Sequence, residues 1–103
     1  MNKILDLSVY EGKTFDVKLP DGTLLNIKKP TQALVIMIMG LEEKNGADVV
    51  SAMGELAARI LSNNTNGKTF SVDWVNENTD ISMLAAIING YTDFMREIQS
   101  NPF

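Results

Sequence analysis

The stretch Asp80–Ser100, DISMLAAIINGYTDFMREIQS, constrains the fold of this chain more than any other. Leu84, Ile87, Ile88, Tyr91, Phe94, Met95 and Ile98 recur at three- and four-residue steps, which places them on one face of an α-helix. Asp93, Arg96, Glu97 and Gln99 fall mostly on the other side. Asp80 is suited to accept hydrogen bonds from the first backbone N–H groups, and proline in Asn101-Pro102 cannot continue the helix. At about 1.5 Å per residue the element is roughly 28 Å long, the span of a small domain. The rest of the chain is expected to pack along it.

With 103 residues the chain is read as one domain with one modest core. An apolar share of 45% and a charged share of 21% exclude a disordered chain. Cysteine and histidine are both absent, so disulfides and thiolate chemistry are excluded, and so are the commonest general base and metal ligand. Residues 1–30 carry five lysines against four acids, whereas residues 31–103 carry four basic residues against nine acids, for a net −4. An acidic chain without a basic stripe repels phosphate backbones, so nucleic acid is not an expected partner. The opening MNKILDLSVYEG holds Asp6 and Glu11 and has no long apolar run, unlike a signal peptide. The longest apolar run, Ala33–Met39, is far short of the roughly 20 residues of a membrane helix. Cytoplasmic residence and no membrane contact are the expectation.

Residues 4–9 alternate, with Leu5, Leu7 and Val9 to one side. Residues 14–19 repeat the pattern with Phe15, Val17 and Leu19, and residues 23–28 with Leu25 and Ile27. Period-two alternation marks half-buried strands. Tyr10–Lys13 and Pro20-Asp21-Gly22 are short turns between them, with glycine available for positive φ. Residues 1–28 are thus predicted to form a three-stranded antiparallel meander.

Residues 30–100 are predicted to be helical. Pro30 and Thr31 open a helix over 31–43. A buried strand over Ala33–Met39 competes, because Val and Ile favour strands. The caps, the length and the Glu42-Glu43-Lys44 tail favour the helix. Asn45-Gly46 ends it, and a second helix over 47–61 turns Val49, Val50, Met53, Leu56, Ala57, Ile60 and Leu61 inward. Small residues Gly54, Ala57 and Ala58 would admit a close helix neighbour. After the loop Asn63–Gly67, Ser71 caps a short helix over Val72–Glu77. The fold class is α+β, a meander followed by three or four helices, the last being the longest.

No nucleophile motif, phosphate loop or paired-carboxylate arrangement stands out, so the chain is not read as an enzyme and no cofactor is expected. Glu42 and Glu43 beside Lys44 read as a solvated charge cluster. Ser62–Asp73 has EF-hand-like offsets but only one acid, which is an ordinary Asn/Gly loop rather than a calcium site. More informative is an apolar surplus. Helix 31–43 is apolar on nearly every side, and Met37, Met39, Met53, Met83 and Met95 are five internal methionines. Methionine fills irregular gaps in cores and also adapts to varied helical partners. A domain this small has too little core to hide a helix apolar all round. Part of it is expected to meet another subunit or another chain.

Together these stretches resemble the tail assembly chaperones of long-tailed phages and prophages of Gram-positive bacteria. KTFDVKLPDGTLLNIKKPT, residues 13–31, is similar to that family's N-terminal strand pair running into its first helix. The acidic middle helices fit its layout. AAIINGYTDFMREIQSNP, residues 85–102, is similar to its closing helix, with Tyr91, Phe94 and Met95 at the matching apolar positions. The resemblance implies a non-enzymatic protein that binds the helical, aggregation-prone tape-measure protein, keeps it soluble in the host cytoplasm and helps recruit tail-tube protein. It also implies short and frameshifted long forms, of which this chain would be the short one. The expected partner-binding residues are Leu34, Met37, Ile38, Leu41, Tyr91, Phe94 and Met95, and a homo-oligomer is expected. A structural virion subunit, such as a head–tail connector or tail-terminator ring protein, is the alternative.

Overall fold

The computed structural model describes residues 4–101. Two strands, β1 (Phe15–Lys18) and β2 (Leu24–Ile27), are followed by four helices: α1 (Gln32–Leu41), α2 (Ala47–Ser62), α3 (Val72–Asn78) and α4 (Ile81–Ser100). The architecture is α+β, and α4, with 20 residues, is the longest helix.

β1 and β2 pair antiparallel, with Phe15 opposite Ile27 and Val17 opposite Leu25. The turn between them closes through Leu19 N–H to Thr23 O (2.8 Å) and Gly22 N–H to Leu19 O (2.9 Å), with Gly22 at φ 91°. The expected three-stranded meander is therefore corrected to a two-stranded hairpin. Residues 4–9 do not pair; Leu7–Tyr10 wind into a 3₁₀ turn instead. The reason is local. Asp6 Oδ1 accepts hydrogen bonds from Ser8 N–H (3.0 Å) and Ser8 Oγ (2.6 Å), which bends the backbone that a strand needs extended. The first three positions of the expected meander lie outside the described residues.

The other edge of the sheet is closed by the loop after α2. Thr65 N–H donates to Asn26 O, Lys28 N–H to Asn63 O, and Asn26 N–H to Asn66 Oδ1. Asn64 organises that loop: its amide donates to Leu61 O and Lys68 O, while its Oδ1 accepts from the N–H groups of Asn66 and Lys68. All of its polar capacity is used on backbone.

The helix boundaries follow their caps. Thr31 Oγ1 accepts from Leu34 N–H, Ser71 Oγ from Trp74 N–H and Asp80 Oδ1 from Met83 N–H. α1 resolves as a helix and ends at Leu41, with Glu42 as its C-cap, so it is shorter than the 31–43 expectation. Gly46, at φ 60°, begins α2 rather than only ending α1. α4 closes with Asn101 N–H donating to Glu97 O; Pro102, expected to enforce that stop, lies outside the described residues.

The centre of the molecule is α2, not α4. α2 touches α1, α3, α4 and β2, and it buries Gly54, Leu56, Ala57, Ala58, Ile60 and Leu61. Its small residues explain this: a Cβ at Gly54 would lie 3.2 Å from Asn76 Oδ1 on α3, so the glycine permits the approach. α4 contributes Leu84, Ile87, Ile88, Tyr91 and Phe94 to the same core. Phe15 of β1 completes an aromatic triangle with Tyr91 and Phe94, tilted against the first (5.8 Å) and stacked on the second (5.9 Å).

Candidate partner-binding surface

Tyr91 is the polar knot of the core. Its Oη donates to Lys28 O (2.7 Å) and accepts from Asn63 Nδ2 (3.3 Å), and Asn63 Nδ2 also reaches Lys29 O (3.2 Å). Three segments — the exit of β2, the end of α2 and the middle of α4 — are joined at this point. Burial pushes the Tyr91 phenol up to about 12, so at neutral pH it is a protonated donor.

The other sequence-predicted residues divide in the same way. Leu34, Ile38 and Phe94 are buried in the core with Tyr91. Met37, Leu41 and Met95 are half-buried and pack against it. The seven do not assemble into one open face. Leu34 and Met37 line a small cavity of about 250 Å³ beside Arg59 and Asn63. Ile38 and Met95 instead share a larger cleft between α1 and the C-terminal half of α4.

That cleft, of about 680 Å³, holds the most exposed apolar side chains of α1 and is the candidate site. Its apolar walls are Ile36 and Met39, each 65% exposed, with Ile38 and Met95 at the base. Glu42 and Glu43 rim one end, and Thr92 and Arg96 form the α4 side. Arg96 is 3.5 Å from Asp93, and both side chains are well exposed, so this ion pair contributes little. An apolar floor with a charged rim suits the side chains of an amphipathic helix.

Helical spacing sets Ile36 and Met39 apart from the face of Leu34, Met37, Ile38 and Leu41, but the sequence reading assigns that latter face, not theirs, to a partner. Their signal is the apolar surplus itself, since α1 has no polar stripe to mark its outer side. A second apolar groove, of about 450 Å³, runs between β1 and the first half of α4, lined by Phe15, Val17, Leu19, Met83, Ala86 and Ile87. Ile4, Leu5, Leu7 and Val9 form a third exposed apolar segment, with Ile4 at 89%.

Among the described residues no cluster of three carboxylate, histidine or cysteine side chains could hold a metal ion. Among them no helix is long and apolar enough to cross a membrane. Comparison of the chain with protein-family models, with curated proteins and with solved structures finds no match.

Proposed function

We propose that this chain is a non-enzymatic assembly chaperone of phage tail morphogenesis that binds the tape-measure protein in the host cytoplasm. Two supports converge. One is the resemblance carried by residues 13–31 and 85–102. The other, which carries the reading, is the exposure of Ile36 and Met39 on a helix whose opposite side is already core. Those two side chains, with Met95 between the helices, form the binding face; Leu34, Ile38, Tyr91 and Phe94 support it from beneath. The acidic remainder keeps the loaded complex soluble, and tail-tube protein is the second partner the reading includes.

Co-expression with the neighbouring tape-measure protein tests this. The chaperone reading expects that client to stay soluble, to co-purify and to dissociate on dilution. Ile36→Glu with Met39→Glu should lower the co-purifying client about tenfold or more, because each buried apolar side chain is worth about 1.5–3 kcal/mol. The melting temperature of the variant should be unchanged. An insoluble client, with this chain alone forming a stable ring that survives dilution, would favour the structural-subunit reading, for which the open apolar groove along β1 is the supporting observation.

A further inference from the structure

Among the described residues no strand pairs with the outer edge of β1, and residues 4–9, whose alternation suits a strand, join no sheet. In the β1–β2 pairing, Leu19 N–H donates to Thr23 O across the hairpin, so Phe15, Val17 and Leu19 direct their backbone groups at β2. The backbone groups of Asp16 and Lys18 therefore point outward. Asn26, opposite Asp16, shows the same alternation on the far side, where the 63–66 loop satisfies it. Among the described residues no segment does this for Asp16 and Lys18. Beside that edge lies the apolar groove of about 450 Å³ floored by Met83, Ala86 and Ile87.

We propose that residues Ile4–Val9 of a second copy of this chain add to β1 as an antiparallel third strand. Leu5, Leu7 and Val9 are 77%, 66% and 51% exposed, and their spacing of two fits one face of a strand. Setting Leu7 opposite Val17 lays Leu5 beside Leu19 and Val9 beside Phe15, so all three side chains cover the groove. The same register puts Asp6 opposite Lys18 on the solvent face, an opposite-charge cross-strand pair. It also aligns Ser8 and Asp6 with the outward backbone groups of Asp16 and Lys18.

The segment's own connection explains why the acceptor is another molecule. Lys13 Nζ donates to Asn101 O (3.0 Å) at the end of α4, and Lys29 Nζ lies 6.0 Å from the Tyr10 ring centroid. Tyr10–Thr14 line a cavity with Asn63 and Thr65, on the β2 side of the sheet. The chain thus leaves the hairpin on the side opposite the open edge and presents Ile4–Val9 outward. The bonds at the start and end of the 3₁₀ turn, Asp6 with Ser8 and Glu11 N–H to Ser8 O, lie at exposed residues and give way on pairing. The exchange does not depend on the identity of any client.

The chain has no cysteine, which makes the test direct. Ser8→Cys and Asp16→Cys, made in separate full-length chains and mixed under mild oxidation, should give a disulfide-linked heterodimer well above the homodimer yield of either alone. Directly opposed strand residues meet the Cα spacing a disulfide needs. Sedimentation velocity should show a mass rising with concentration above the 11.4 kDa monomer. Leu7→Asp should weaken that association about tenfold or more, with the thermal melt unchanged because Leu7 is exposed in the monomer. A monomer at every concentration overturns the proposal. So does a doubly substituted chain that closes its disulfide only within itself, since the segment would then cover its own edge.

Discussion

At the residue scale the informative atom is Tyr91 Oη. It lies in the core yet serves two other segments, donating to Lys28 O at 2.7 Å and accepting from Asn63 Nδ2 at 3.3 Å. Phenylalanine would keep the ring contacts with Phe15 and Phe94 and lose only these hydrogen bonds. Lys28 O would retain Asn63 Nδ2 at 3.4 Å, so it is not orphaned. Tyr91→Phe is therefore expected to destabilise by about 1 kcal/mol, read by urea denaturation at neutral pH. The phenol also sets a pH dependence. Its folded value of about 12 lies above the ordinary 10.0, so the folded chain holds the proton more tightly. This contribution is complete below pH 10 and is lost as the pH rises towards 12. The gap between wild type and Tyr91→Phe should narrow through that window; a gap that stayed constant would deny the phenol its role.

At the element scale two helical glycines separate packing from propensity. Gly40 in α1 has open space where a Cβ would go, whereas a Cβ at Gly90 in α4 would lie 2.8 Å from Phe15 Cζ. Gly40→Ala should raise stability by about 0.5–1 kcal/mol. Gly90→Ala should give no such gain, because the Phe15 ring, packed on both Tyr91 and Phe94, must move. Paired thermal melts of the two variants check this. The same contrast marks what the sequence could disclose. The inward faces of α2 and α4 were legible where polar residues delimit them, although Val50, expected inward in the first turn of α2, is 51% exposed, and the alternation of 14–19 and 23–28 identified the hairpin. Residues 4–9 alternate equally well, but alternation specifies a face and not a partner, and the Asp6–Ser8 bonds took the backbone elsewhere. In α1 the spacing separates Leu34 and Ile38 from Ile36 and Met39, but with both sides apolar the partner face was assigned to the first pair, which is buried, and the open side is the second. That Gly90 exists to admit Phe15 depends on a contact between residues 75 positions apart, beyond any local pattern.

At the scale of the whole molecule, shape and charge act together. The molecule measures 56 × 33 × 19 Å, and its radius of gyration of 14.9 Å exceeds the ~13 Å of a compact chain of this length. A body 19 Å thick holds two layers, so an apolar surplus has no interior left and emerges on the outer face of α1, in the groove beside β1 and on the N-terminal segment. The net −4 that the chain carries at neutral pH opposes indiscriminate clustering through those surfaces. As the pH falls towards the isoelectric point near 4.6 that repulsion vanishes while the apolar area is unchanged. Light scattering during an acid titration should therefore peak near pH 4.6 and reverse when the sample returns to pH 7, provided the helices survive. Circular dichroism followed in parallel distinguishes this from unfolding. With Ile36→Glu, Met39→Glu and Leu7→Asp combined, both the isoelectric point and the height of the scattering peak should fall. Scattering that tracked loss of helix instead would mean that acid acts on the core and not on these faces.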